Sequence, residues 1–238
     1  MFTGGTALAK GYNAIHRFSE DCDFILIGNK FNRNKLSQAR HLIKDHLISY
    51  GFTIIGESSK NSNKNMEFSI KYETSAGPIT GLRPEIKLEI IYKDKLLYPT
   101  IKRKAQSFLA ESRKEKPEVE ELECLSIEEI SVGKMSVLIW RYLDDNKRPH
   151  ASLIRHLYDL ASLSDILISS ERFKEKVKNV VENDLRERLK SPLNFKEAAK
   201  KLIMLFNRDP SYKEEYKVYL ENFIFNSPDQ KNSPLKTL

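Results

Sequence analysis

Residues 4–23, GGTALAKGYNAIHRFSEDCD, constrain this chain more than any other stretch. Two glycines and a threonine open it, and Asp21 and Asp23 close it, directly before the apolar run Phe24, Ile25, Leu26 and Ile27. That run, with Cys22 and Asp23, reads as a strand. Side chains alternate across a strand, so Asp21 and Asp23 share a face while Cys22 turns to the other. Two carboxylates this close repel each other and call for a cation, and hard oxygen donors suit Mg²⁺ or Mn²⁺. Gly4, Gly5 and Thr6 precede a short helix predicted over residues 6–16. Such a turn lets a phosphate approach free backbone N–H groups at a helix N-terminus, although the spacing departs from the P-loop pattern. Lys10 and Arg17 add cationic donors to the same stretch. Taken singly, each piece has a plain alternative: a solvated strand entry, an ordinary turn, surface charges.

A second acidic strand follows. Glu85–Tyr92 alternates sharply, with Glu85, Lys87 and Glu89 on one side and Ile86, Leu88 and Ile90 on the other. Glu89 is therefore the natural third carboxylate, provided that this strand pairs beside the one carrying Asp21 and Asp23.

The period of the hydrophobic pattern divides the chain. The first half mixes strands with one amphipathic helix over residues 33–50, built on Leu36, Ala39, Leu42, Ile43, Leu47 and Ile48 and stopped by Gly51. Further strands are expected at 52–56, 66–74 and 98–102, a loop or hairpin connection at 58–65, a turn at 76–83 and a short helix at 105–113. The charged run 114–123, with Pro117, reads as a linker. Beyond it the signals are helical: 127–143, opened by the capping-box pair Ser126 and Glu129, then 151–163, 171–189, 195–207 and 212–225. The polar tail from Ser227 reads as disordered. The expected layout is an α/β domain at 1–120 and a helical bundle at 121–238, an α+β arrangement.

Composition narrows the function classes. Lys and Arg outnumber Asp and Glu by 40 to 33, a net charge of +7 that suits an anionic partner such as nucleotide or RNA. The excess is spread over both halves, so no basic tail stands out. Two cysteines, Cys22 and Cys124, make neither a metal-spaced pair nor a disulfide framework. No apolar run approaches a membrane span and no signal peptide is visible, so a cytoplasmic protein without a membrane partner is expected. The histidines lack ligand spacing. The basic run Lys102, Arg103 and Lys104 suits RNA phosphates, or simply a charged edge strand.

The order GGTALAKG, then RFSEDCDF, resembles the signature of the AbiEii/AbiGii-type toxin nucleotidyltransferases, a branch of the DNA polymerase β-like nucleotidyltransferase superfamily. The matching positions are Gly4, Gly5, Thr6, Leu8, Arg17, Ser19, Asp21 and Asp23. IKLEI supplies the family's Lys-x-acid pair as Lys87 and Glu89, SIEEISVGKM supplies a helical lysine as Lys134, and RHLYDL supplies Arg155, Tyr158 and Asp159. Many relatives carry an aspartate at the position of His156, so no carboxylate role carries over there.

The resemblance implies a nucleotidyltransferase-like mixed sheet with flanking helices. It implies a metal-dependent enzyme that moves an NMP from an NTP to an acceptor hydroxyl, an RNA or tRNA 3′ end among the candidates. It would be the toxin of a toxin–antitoxin or phage-defence pair, whose antitoxin forms no stable complex with it. Asp21, Asp23 and Glu89 would hold Mg²⁺ or Mn²⁺, with Lys134 and Asp159 completing the catalytic set. Gly4, Gly5, Thr6, Lys10, Arg17, Ser19 and Lys87 would bind the nucleotide. Relatives carry a helical segment before the Gly-Gly turn, and here the turn begins at residue 4. The alternative expectation is therefore a catalytically impaired nucleotide- or nucleic-acid-binding module.

Overall fold

The computed structural model describes residues 1–19, 21–72, 85–144, 150–208 and 210–224. It divides into two compact units: Met1–Asn13 with Ser19–Ser126, and Ala14–Phe18 with Ile127–Leu238.

The first unit is a seven-stranded mixed sheet with helices. Its strands are β1 (Phe2–Thr3), β2 (Asp21–Ile27), β3 (Thr53–Lys60), β4 (Asn65–Lys71), β5 (Glu85–Lys93), β6 (Ile101–Ala105) and β7 (Val119–Cys124). They lie in the order β3-β4-β5-β2-β1-β7-β6. The β2–β5 and β1–β7 pairs are parallel and the others antiparallel. Helix α2 (Arg33–Ser49) packs on one face, where Leu36 meets Met66, Phe68, Ile90 and Tyr92, with Phe24, Leu26, Ala39, Ile43 and Leu47 around them. Asn32 caps this helix by accepting from the Lys35 N–H at 2.9 Å, and Gly51, at φ +85°, follows it. The apolar stripe is narrower than the sequence pattern suggests, since Leu42 and Ile48 are exposed.

Several expected boundaries move. The helix predicted over 6–16 is instead a tight α-turn, α1 (Gly4–Thr6), running into a π-helical stretch (Ala7–Gly11). Strand β3 continues to Lys60, so the expected loop at 58–65 shrinks to Asn61–Lys64, where Asn61, Ser62 and Asn63 all take positive φ. The edge strand lies at 101–105, and the helix after it is α3 (Phe108–Ser112), capped by Ser107. The run 114–123 is not a plain linker, because Val119–Cys124 forms β7 between β1 and β6. The predicted turn at 76–83 and the tail from Ser227 lie outside the described residues.

In the second unit the described elements are helices: α4 (Ile127–Leu143), α5 (His150–Ser162), α6 (Ser164–Ser169), α7 (Glu171–Leu189), α8 (Phe195–Arg208) and α9 (Pro210–Phe223). The short α6 is an element that sequence periodicity did not separate from its neighbours. Helix α4 packs against α5, α7 and α8. Helix α7 buries Phe173, Val177, Val181 and Leu185, one apolar residue per turn. Tyr142, Phe206 and Tyr212 form a three-ring cluster with centroids 4.6–5.0 Å apart. Pro210 sits at the first position of α9, where its missing N–H costs nothing. No described helix is long and apolar enough to cross a membrane.

Candidate active site

Strand register assembles the first group of site residues. In the parallel β2–β5 pair, Asp21 lies opposite Lys87 and Asp23 opposite Glu89. In the antiparallel β4–β5 pair, Glu67 lies opposite Glu89. The intervening residues Phe24, Leu26, Leu88 and Ile90 belong to the core against α2, so alternation puts the two aspartates, Lys87, Glu89 and Glu67 on the face away from α2. The strand pairing that Glu89 needs to join the aspartates is therefore present.

Lys87 binds its neighbours on this face. Its Nζ lies 2.8 Å from Glu89 Oε1 and 3.0 Å from Glu67 Oε2. Burial works against the ammonium, but hydrogen bonds to Glu89 and Glu67 outweigh it and raise its pKa above the ordinary value. The clamp therefore persists through neutral pH and loosens only on strongly alkaline titration. The aspartates make a negative field of their own: burial first, then Asp23 and Asp21, push the Cys22 thiol up, although Lys10 opposes them. Glu67 was not singled out from the sequence. The alternation of NMEFSIK carried the signal, and only the register with β5 gives it meaning.

The glycine turn closes on the same face. Gly4 has φ +76°, a conformation that side chains other than glycine's disfavour, and a Cβ there would overlap the Asp23 carboxylate. Thr6 is buried, with its hydroxyl 2.8 Å from Ser19 Oγ and bonded to the Asp21 carbonyl. A carbonyl can only accept, so Thr6 spends its one proton there and Ser19 donates to Thr6. Gly5 is buried beside them. Gly4, Thr6, Ser19, Asp21 and Asp23 thus form one connected group, whereas Lys10 lies at the π-helical end near β6.

The remaining predicted residues form a separate group within the second unit. Arg17 donates from Nε to Asp159 Oδ1 at 2.6 Å and from its second terminal nitrogen to Oδ2 at 2.8 Å. Lys134 Nζ lies 2.7 Å from the same Oδ2. All three are buried, Asp159 completely. Burial alone would raise the Asp159 carboxyl, but Lys134 and Arg17 more than reverse that and hold it below the usual carboxylate range. His156 is pushed well below the ordinary imidazole range by burial and by Lys134, with Arg141 and Arg155 adding to them and Asp159 opposing, which keeps it neutral.

Among the described residues, no group of three or more His, Cys, Asp or Glu forms a metal-ligand set. The sheet face offers two half-buried aspartates, and Glu89 is engaged by Lys87. One or two carboxylates are the usual protein share for Mg²⁺, the rest being water and substrate phosphate. The donor chemistry therefore fits an ion held jointly with a nucleotide, and Gly4, whose lack of a side chain makes room for the Asp23 carboxylate, lies against that pair.

Comparison with known proteins assigns the family. The sequence matches the family described as nucleotidyl transferase AbiEii toxin, type IV TA system, over residues 1–235. The chain belongs to the AbiEii toxin family. Among solved structures, it is similar to MenT4, nucleotidyltransferase toxin Rv2826c from Mycobacterium tuberculosis H37Rv, with a TM-score of 0.51 and 18% identity. That likeness covers 78% of this chain and 56% of that one, so the chain spans little more than half of the solved toxin. At this identity the likeness is one of fold, a mixed sheet with flanking helices. No curated protein matches the sequence. Within this AbiEii-family chain, the strand-face group and the buried Arg17–Asp159–Lys134 group hold every predicted site residue except Lys10.

Proposed function

We propose that this AbiEii-family protein is a metal-dependent nucleotidyltransferase that moves an NMP from an NTP to an acceptor hydroxyl, and that the acceptor is an RNA 3′ end, tRNA being the first to try. The observation that carries this reading is the register of Asp21 and Asp23 opposite Lys87 and Glu89, with Gly4 packed bare against Asp23.

In this reading the triphosphate lies along Gly4, Gly5 and Thr6, where the bare Gly4 leaves room for the Asp23 carboxylate beside it. Asp21 and Asp23 would hold Mg²⁺ or Mn²⁺, which when bound would supply neutralisation of the charge on the phosphates. Lys87 steadies Glu89, which joins the ion site or takes the acceptor proton. The new bond joins the acceptor oxygen to the α-phosphorus; the bond from the α-phosphorus to the bridging oxygen breaks, and pyrophosphate leaves. Thr6 and Ser19 act as positioning residues through the Asp21 carbonyl. The Arg17–Asp159–Lys134 cluster supports a positioning role for Asp159, whose oxygens are committed to two cations, and for Lys134, whose ammonium is buried against it. The biological setting we infer is a cytoplasmic type IV pair, with an antitoxin that does not co-purify with the toxin.

The test is transfer of label from each α-labelled NTP to total RNA with Mg²⁺, by the native protein and by the Asp21→Ala, Asp23→Ala double variant. Transfer by the native chain, reduced at least about a hundredfold in the variant, supports the reading. RNA binding without transfer of any nucleotide would replace it with a binding module.

A further inference from the structure

In the first unit, the π-helical end and the edge strand β6 border an open groove of about 290 Å³, lined in part by Lys10, Tyr12, Lys102, Arg103, Lys104 and Glu111. We propose that this groove binds the phosphodiester backbone of a single-stranded RNA.

Four exposed cations from two different elements converge here. Lys10 arrives on the π-helical stretch, whose backbone is fixed to the strand side by the Gln106 N–H donating to the Lys10 carbonyl at 3.1 Å. Lys102 is shared with Glu121 at 2.8 Å and Lys104 donates to Gln106 Oε1 at 2.9 Å. Lys10 and Arg103 make no ion pair among the described residues. The one acidic side chain in the lining, Glu111, accepts from Asn13 Nδ2 at 3.2 Å.

A cationic edge strand by itself serves to discourage edge-to-edge pairing. That role needs neither a second element contributing Lys10 nor a groove between the two elements. It also leaves unexplained the Arg103 guanidinium, which lies 4.7 Å over the Tyr12 ring. A charged groove beside an arginine–aromatic stack is the arrangement by which single-stranded nucleic acids are held without sequence readout. An acidic peptide would use the charges but not the flat surface, which favours RNA.

The inference rests on the RNA acceptor proposed above, but its test is separate. Binding of a fluorescent single-stranded RNA of about twelve nucleotides, within the span of such grooves, is measured by anisotropy across a salt series without NTP or divalent cation. The Lys102→Gln, Arg103→Gln, Lys104→Gln variant is expected to bind about tenfold more weakly, and its salt slope to fall by about two. Lys10→Gln, on the other element, is expected to lower the slope by about 0.7, and it decides the matter if the triple variant melts early. A control with the same charge loss on α8, Lys196→Gln, Lys200→Gln, Lys201→Gln, is expected to bind as the native protein does. Unchanged affinity and slope in the groove variants, or equal losses in the α8 control, overturn the inference. So does polyglutamate that binds as tightly as RNA and loses the same affinity, which would assign the groove to an acidic protein. A protein that binds RNA here but transfers no label keeps this inference and loses the enzymatic reading.

Discussion

Arg17 and Asp159, 142 positions apart in sequence, form a two-point fork: Nε meets Oδ1 at 2.6 Å and a terminal nitrogen meets Oδ2 at 2.8 Å. Lys134 completes the charge at Oδ2. Removing one member of a buried ion cluster leaves the others uncompensated, at a cost of about 3–5 kcal/mol. Asp159→Asn is expected to lose about that much in urea unfolding, because two buried cations then face no carboxylate. The sign with pH follows from the lowered Asp159 carboxyl. A carboxyl depressed in the folded state stabilises above its ordinary value of 3.8 and loses that contribution as pH falls through the folded value. The native protein should therefore lose stability on acidification below that range more steeply than Asp159→Asn does. Equal acid slopes would mean that Asp159 is not held as the charged form.

Gly4 faces a different constraint. Its φ of +76° strains any residue with a Cβ, and that Cβ would overlap the Asp23 carboxylate. Gly4→Ala is expected to cost more than about 1 kcal/mol and to lower label transfer as well. The overlap makes the two positions interdependent, so Gly4→Ala should cost less in an Asp23→Gly background. A double-mutant cycle by thermal melting reads the coupling directly; strictly additive losses would show that the two groups do not meet.

What the sequence could and could not convey depends on range. The DCDFILI and EIKLEIIYK alternations are local, so β2, β5 and their faces were legible from side-chain types alone. That Asp23 stands opposite Glu89 is a pairing across 66 positions, and no local pattern encodes it. Glu67 was invisible for the same reason. The run Val119–Cys124 misled because VEELEC is acidic and exposed, a surface-strand composition that mimics a linker once its partners β1 and β6 are out of view. Helix α2 misled in the opposite direction: Leu42 and Ile48 fit the helical period yet stay exposed, since the sheet covers only the stripe of Leu36, Ala39, Ile43 and Leu47. Arg17 sits in a polar stretch beside the aspartates in sequence, and only the tertiary fold assigns it to Asp159.

The Lys87 clamp makes a prediction for metal binding in the protein alone. Its ammonium lies between Glu89 at 2.8 Å and Glu67 at 3.0 Å. Lys87→Met leaves both carboxylates without that cation on the strand next to the aspartates. Mn²⁺ binding, read as loss of the free-ion paramagnetic resonance signal, should tighten by about tenfold, or about 1.4 kcal/mol, while label transfer falls. Asp23→Asn should weaken Mn²⁺ binding. An unchanged Mn²⁺ affinity in Lys87→Met would place Glu89 outside the reach of the ion site.

Strand β7 offers a test that needs no ligand. Lys114–Glu118 is exposed coil, whereas Val119–Cys124 is hydrogen-bonded to β6, with Lys102 opposite Glu123 and Arg103 opposite Leu122. Cys124 also pairs with Phe2, and the Leu125 N–H donates to the Phe2 carbonyl at 2.9 Å. A protease needs an extended segment free of its neighbours, so cleavage tracks local opening. Limited digestion with trypsin should cut after Arg113 or Lys114, since Pro117 protects the bond after Lys116. A glutamate-specific protease should spare Glu120, Glu121 and Glu123 while the sheet is intact, and should cut there only when urea unfolds it. Ready cleavage at Glu121 under native conditions would return the whole of 114–123 to the status of a linker and leave β6 without the partner that fixes Lys102 and Arg103.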